Sequence, residues 1–278
     1  MRVGNHFPSL LAGLLLAVGV IAVAGQRAKA DDLAAIRQRG TLMAGVKVDY
    51  PPFGFRSPSG EIVGIEPSLA ASVAKSMSVK LELVPVLASN RIELLEQSKI
   101  DLIIATMNDT RERRQAIDIV RPYYYAAGFN VMVPKSMHLT SWAELKGKTA
   151  CGIKGAYFNY EARMNFDLQV TSFDDSLAAL IALKQGRCVG LLYDDSSIEG
   201  EMLQPEWSDY EMPLPSQEVQ PWGLGIRQGQ PEWSAYLSTI VKQWAKDGTI
   251  LDLETKYHIK HSKFVVDAHQ KALASSGD

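Results

Sequence analysis

Residue types able to do chemistry crowd residues 101–115, which read DLIIATMNDTRERRQ. Residues 102–105 form a short apolar run of the kind buried inside a parallel sheet. The run stops at Thr106, and Asn108, Asp109 and Thr110 then offer three successive helix N-cap candidates. Arg111, Glu112, Arg113 and Arg114 follow in the first helical turn, where cations are disfavoured by the helix dipole. Hydroxyl and amide side chains at a strand end, free backbone N–H groups and an out-of-place arginine together suit a carboxylate. The alternative is a strand–cap–helix junction with a solvated arginine cluster.

The surrounding elements repeat β-α-β. Residues 33–39 read as a helix ended by Gly40, and residues 41–48 as the first strand. A loop stiffened by Pro51 and Pro52 carries Tyr50 and Phe53. A helix over 67–77, a strand over 81–86 and a helix over 90–97 lead into the 101–115 stretch. Strands over 129–133, 150–153, 169–173, 189–193 and 222–226 follow, with helices from about 157, over 175–185 and over 198–203. Closing helices cover 231–246 and 250–257, and the polar tail beyond His261 is expected to fray. Such alternation implies parallel sheets covered on both faces. Residues 94–106 and 183–194 echo one another as helix end, basic turn and apolar strand, and aligned from their strands Thr106 falls on Asp194. Ligands of open α/β sheets lie beyond the carboxyl ends of the strands. Each half of the chain therefore places a polar residue there, unless both are merely solvated strand ends.

The first thirty residues read as a secretory signal peptide. Arg2 supplies positive charge, residues 10–24 are apolar, and Ala28-Lys29-Ala30 is an A-x-A cleavage signal, so cleavage is expected after Ala30. No cysteine follows the apolar run, so a lipid anchor is not expected, and no later run reaches the ~18 apolar residues of a membrane span. From Asp31 on, 248 residues remain, enough for two lobes. Without the leader's three basic residues the chain carries 26 basic against 31 acidic side chains, about −5, which excludes a nucleic-acid binder. The two cysteines, Cys151 and Cys188, could form a disulfide in an oxidising compartment or remain buried thiols. His258 and His261 lack the companions of a metal site. No HExxH or GxSxG is present, and Gly223-Leu224-Gly225 lacks the third glycine of a dinucleotide loop. Neither cofactor nor metal is expected.

In RGTLMAGVKVDYPPFGF, SGEIVGIEPSLAASVAKSM, KIDLIIATMNDTRERRQAIDIVRPYYYAAG, WAELKGKTACGIKGA and GRCVGLLYDD, taken in this order and spacing, the chain resembles the periplasmic amino-acid-binding proteins of ABC importers, bacterial solute-binding family 3. The resemblance implies a two-lobe periplasmic-binding-protein type II fold. Each lobe is then a mainly parallel sheet flanked by helices, joined by two crossover strands over 129–134 and 222–226. Lobe 1 would comprise 31–131 and 224–278, and lobe 2 residues 132–223. It further implies a monomer in the periplasm that closes on a free L-amino acid and hands it to ABC permease subunits. By motif, Arg113 would grip the α-carboxylate, Thr106 and Asn108 would add contacts, and Asp194 would pair with the α-ammonium. The loop at Gly155, Ala156 and Tyr157 would point backbone N–H groups at the same carboxylate. Ala156 stands where the family has Thr or Ser, so one hydroxyl contact is missing.

The resemblance also bears on the ligand. Relatives that bind basic amino acids tend to be acidic at the position of Lys47, and Arg91 lies where relatives specific for glutamate and aspartate have arginine. Together Lys47 and Arg91 would neutralise a side-chain carboxylate, so glutamate or aspartate is expected. Tyr50, Phe53 and Trp222 are expected to wall the pocket, although a proline-flanked aromatic equally plugs a core. A dehydratase-like periplasmic enzyme on the same fold is the rival reading, with Asp195 or Glu199 as its general acid. A ligand receptor for a sensor kinase is the third.

Overall fold

The computed structural model describes residues 31–275, together with Met1 and Gly4. The expected signal peptide and its cleavage site fall outside the described residues.

The described fold opens with α1 (Asp32–Arg39), whose Leu33 amide is capped by the Asp31 carboxylate. β1 (Thr41–Val46) follows, then a small antiparallel sheet of β2 (Asp49–Tyr50), β3 (Gly54–Arg56) and β4 (Ile62–Val63). α2 (Ile65–Met77), β5 (Lys80–Pro85), α3 (Arg91–Glu96), β6 (Leu102–Ile103) and α4 (Arg113–Ala116) complete the first run. β7 (Asp118–Pro134) leads into β8 (Thr149–Ile153), α5 (Phe158–Phe166), β9 (Gln169–Phe173), α6 (Ser176–Lys184), β10 (Leu191–Asp194) and α7 (Asp195–Met202). β11 (Tyr210–Glu211) and β12 (Gln217–Ile226) precede three closing helices, α8 (Pro231–Asp247), α9 (Thr249–Lys256) and α10 (Lys263–Ala274).

The main sheet runs β5-β1-β6-β12-β7-β10-β8-β9, with β11 added beside β7. β1 is parallel to β5 and β6, and β8 is parallel to β9 and β10. β7 and β12 run antiparallel through the middle and join the two parallel groups. This is the two-lobe type II architecture, a mixed sheet with flanking helices. Among the described residues no helix is long and apolar enough to cross a membrane.

Three expectations are corrected. Both crossover strands extend well before the apolar runs that signal them. β7 begins at Asp118 because Tyr124 and Tyr125 bury their rings while Arg121 and Pro122 stay outside, a pattern that hides a strand in a polar, proline-bearing segment. The tail beyond His261 is ordered as α10, which packs on α8 and buries Val265. The helix after Thr106 is a single turn beginning at Arg113, and neither Asn108 nor Asp109 caps it. Asp109 instead takes ionic contacts from Arg114 and Arg121 and a hydrogen bond from the Tyr123 hydroxyl. Thr110 is the one candidate that acts, with Oγ1 accepting from the Arg113 amide at 3.3 Å.

The core follows the apolar pattern. Trp207, Trp233 and Trp244 are buried, and Cys151 and Cys188 are joined in a disulfide between Cα atoms 5.6 Å apart. At the strand crossing, Tyr50, Phe53, Tyr125 and Trp222 pack ring against ring, with centroids 4.8–6.1 Å apart. Each such burial contributes about 1.5–3 kcal/mol.

Candidate functional site

The carboxyl ends of the parallel strands of both groups converge on one set of buried charged side chains. Lys47 follows β1, Thr106 and Asn108 follow β6, and Arg113 opens α4. Arg91 opens α3, and Asp194 ends β10 in the second group. All six are at most 9% exposed. Burying this much charge costs several kcal/mol per ion unless partners are supplied, so each partner carries information.

Arg113 is held from both sides of the cleft. Its Nη1 donates to the Asn108 carbonyl at 3.0 Å and to Asn108 Oδ1 at 3.3 Å, while Nη2 donates to the Gly155 carbonyl at 3.2 Å. Burial, with the like charge of Arg91, pushes its pKa down to about 9, and the opposite charge of Asp194 resists that fall. A guanidinium so displaced gains from any anion brought to it.

Arg91 donates to the carbonyls of Ala105 and Thr106, and its Nε has no hydrogen-bond partner among the described residues. Thr106 offers its carbonyl because its backbone is left-handed, φ 48°. The Glu66 carboxylate fixes that turn, with Oε1 accepting from the Thr106 amide at 2.6 Å and the Tyr124 hydroxyl at 2.5 Å. Burial raises the Glu66 pKa, and these two donors pull it back.

Lys47 is fully buried and lies 2.9 Å from Asp49 Oδ1 and 3.3 Å from the Tyr193 hydroxyl. Asp194 is pushed up to about 7, first by burial and then by the neighbouring charge of Asp195. The Tyr50 hydroxyl, Arg91 and Lys47 oppose that rise. Asp194 Oδ1 and Asn108 Nδ2 have no hydrogen-bond partner among the described residues. With Arg91 Nε and Glu66 Oε2, that leaves two acceptors and two donors unsatisfied among these buried residues. Each such buried group costs about 1–3 kcal/mol, a penalty that a polar ligand would remove.

The two sides of the cleft meet closely. A Cβ on Gly155, itself at φ +78°, would come within 2.8 Å of the Ala88 carbonyl. One on Gly200 would come within 2.3 Å of the Pro51 carbonyl oxygen. A groove of about 580 Å³ leads to Arg113 between Ser89, Thr110, Gly155 and Tyr157. Lys47, Arg91 and Asp194 lie buried away from its lining.

Most sequence-derived candidates fall in or beside this cluster. Tyr50 packs against Tyr193 with tilted rings, centroids 5.1 Å apart, and places its hydroxyl 3.2 Å from Ser196 Oγ. Phe53 and Trp222 lie wholly inside the aromatic cluster beneath it. In the Gly155–Ala156–Tyr157 loop one amide departs from the expectation. The Ala156 amide donates to the Ile153 carbonyl at 3.2 Å because the tight turn closes on itself, and the loop shows Arg113 a carbonyl instead. Tyr157 spans to the Glu218 carbonyl at 3.0 Å. Asp195 accepts the Gly128 and Ser196 amides, and burial raises the pKa of both Asp195 and Glu199.

Sequence reasoning missed Asp49, Glu66, Tyr193 and Ser176. Asp49 was within reach of it, because residues two apart on an extended segment share a face and Lys47 stands two places before it. Glu66 and Tyr193 act across long sequence separations and gave no local signal.

The fold and this buried, two-sided charge cluster define a two-lobe binding protein. Residues 42–260 match the model of the bacterial extracellular solute-binding proteins, family 3, and the chain belongs to that family. It is 29% identical over 259 residues to the ABC transporter glutamine-binding protein GlnH of Bacillus subtilis, covering 90% of this chain and 94% of that one. It is 26% identical over 250 residues to the L-cystine-binding protein TcyJ of Escherichia coli K12, covering 87% and 92%. A solute receptor for L-cysteine from Neisseria gonorrhoeae superposes with a TM-score of 0.76 at 27% identity, over 82% of this chain and 93% of that one. The chain is thus a solute-binding protein of an amino-acid-binding group.

Proposed function

We propose that this protein is an extracytoplasmic receptor, periplasmic after loss of its leader, that closes over one free L-amino acid and delivers it to an ABC permease. The lobes are residues 31–131 with 224–278, and 132–223. The observation that carries the reading is the placing of opposite buried charges on the two sides of the cleft, Arg113 on one and Asp194 on the other, with Arg113 inside the field of Asp194. Arg113 takes the α-carboxylate through two parallel charged hydrogen bonds, worth roughly 1.5–3 kcal/mol each. Asp194, acceptor-only when ionised, takes the three-donor ammonium. Thr106 and Asn108 add contacts, and Lys47, Tyr50 and Arg91 meet the ligand's side chain. Phe53, Ala156, Tyr157 and Trp222 complete the walls, with Phe53 and Trp222 acting by packing.

Glutamate or aspartate fits best, because Arg91 is buried and keeps an unsatisfied Nε. A second reading, glutamine, is favoured by the Lys47–Asp49 pair, which shows a side chain both a donor and an acceptor. No chemical step is needed in either case, since binding shifts a hinge equilibrium that the permease reads. The test is mass spectrometry of ligand released from purified protein. An unmodified amino acid supports the receptor, and a dehydrated product after incubation supports an enzyme acting through Asp195 or Glu199. Neighbouring genes for permease and ATPase subunits, as against a sensor kinase, distinguish import from signalling.

A further inference from the structure

Asp49 is engaged on both sides of the cleft. Its side chain is 10% exposed, and Oδ1 lies 2.9 Å from the Lys47 ammonium. Its other oxygen, Oδ2, accepts the backbone N–H of Ser176 at 3.0 Å, and its carbonyl accepts the Ser176 hydroxyl. Ser176 is the first residue of α6. Its amide has no partner within the helix, because Asp175, the cap, is turned to the Ala178 amide. A carboxylate there also meets the positive end of the helix dipole. Lys47 stands within the field of Asp194, so the same carboxylate that receives α6 sets the charge beside the ligand site.

We propose that Asp49 couples closure of the cleft to selection of the ligand's side chain. This rests on the receptor reading above. With the cleft shut, Ser176 supplies two donors to Asp49 that an open cleft withdraws, so the contact favours the closed form and slows ligand release. The Asp49 carboxylate cancels the Lys47 charge and keeps the site from treating an anionic side chain far better than its amide. One residue thus sets both residence time and the glutamate-to-glutamine preference.

The experiment compares wild type, Asp49→Asn and Ser176→Pro by calorimetry and stopped-flow release of L-glutamate and L-glutamine. Proline is well suited to the first helical position and follows Asp175, whose backbone is extended, so Ser176→Pro removes both donors without disturbing α6. Ser176→Pro is expected to speed release of both ligands at least tenfold while leaving their affinity ratio within twofold of wild type. Asp49→Asn is expected to speed release and raise the glutamate-to-glutamine affinity ratio at least tenfold. Unchanged release in Ser176→Pro, or an unchanged ratio in Asp49→Asn, overturns the coupling while the receptor reading stands. Wild-type protein that binds no amino acid fails the receptor reading itself, and the coupling with it. Ser176→Pro leaves the Lys47–Asp49 pair intact and keeps the coupling testable should Asp49→Asn misfold.

Discussion

The Arg113 guanidinium reaches across the cleft to the Gly155 carbonyl, 3.2 Å from Nη2, while Nη1 stays with Asn108 on its own side. A cation buried this deeply and satisfied by neutral oxygens is under-compensated, and a carboxylate would improve on them. Arg113→Ala is expected to weaken amino-acid binding by roughly 3–5 kcal/mol with the fold retained. Titration calorimetry checks this, and a loss below tenfold would remove Arg113 from the site.

Asp194 carries a pH signature. Its ordinary carboxyl value of 3.8 is raised to about 7 in the folded protein, so the ionised form is the disfavoured one. Binding an ammonium requires that form, so binding releases a proton below pH 7. Affinity should fall about tenfold per pH unit from 7 towards 5 and level off above 7. Calorimetry in buffers of different ionisation enthalpy measures the proton released, and none at pH 6 would contradict the assignment.

The same shift makes Asp194 a stability burden in the ligand-free protein. A carboxyl raised on folding destabilises progressively as pH climbs from about 4 to 7, and by a constant amount beyond. Asp194→Asn should therefore gain stability relative to wild type over that window, on the order of 4 kcal/mol at pH 8, while losing its response to ligand. Denaturant melts at pH 4 and pH 8 test the difference, and a gain that does not depend on pH would refute it.

Gly200 lies inside α7, where alanine favours the helix by roughly 1 kcal/mol. A Cβ there nevertheless meets the Pro51 carbonyl oxygen at 2.3 Å when the cleft is shut. Gly200→Ala should leave the ligand-free protein as stable or more so, yet bind ligand at least tenfold more weakly. Small-angle scattering should show reduced compaction at saturating ligand. Unimpaired compaction and affinity would show that this contact does not limit closure.

The Cys151–Cys188 bridge closes a loop of sequence separation 37 within one parallel group. Replacing both cysteines by serine should cost roughly 3–4 kcal/mol on the chain-entropy account, with ligand preference unchanged. A urea melt reads the cost, and a shift below 1 kcal/mol would show the bridge to be dispensable.

Much of this was legible because both strand ends that carry charge sit in local patterns. The run 102–105 before Thr106 and the run before Asp194 mark the sheet, and Arg113 announces itself as a cation at the wrong end of a helix. What stayed hidden is cooperative at a distance. Glu66 shapes the Thr106 turn from forty residues away in sequence, and Tyr193 reaches Lys47 only once the two parallel groups meet. The Gly155 loop shows why backbone direction is hard to foresee, since one turn hydrogen bond from Ala156 decides whether N–H or carbonyl faces the cleft. In α10 the signal was present, since Phe264, Val265, Ala268 and Ala272 recur at helical spacing, and the amphipathic stripe matches that of α9.

The most direct test is a calorimetric comparison of the released amino acid with its N-acetyl and α-carboxamide derivatives. If one zwitterion is divided between Arg113 and Asp194, each derivative loses one charged partner and should bind at least a hundredfold more weakly. Either derivative binding as tightly as the parent would contradict the account.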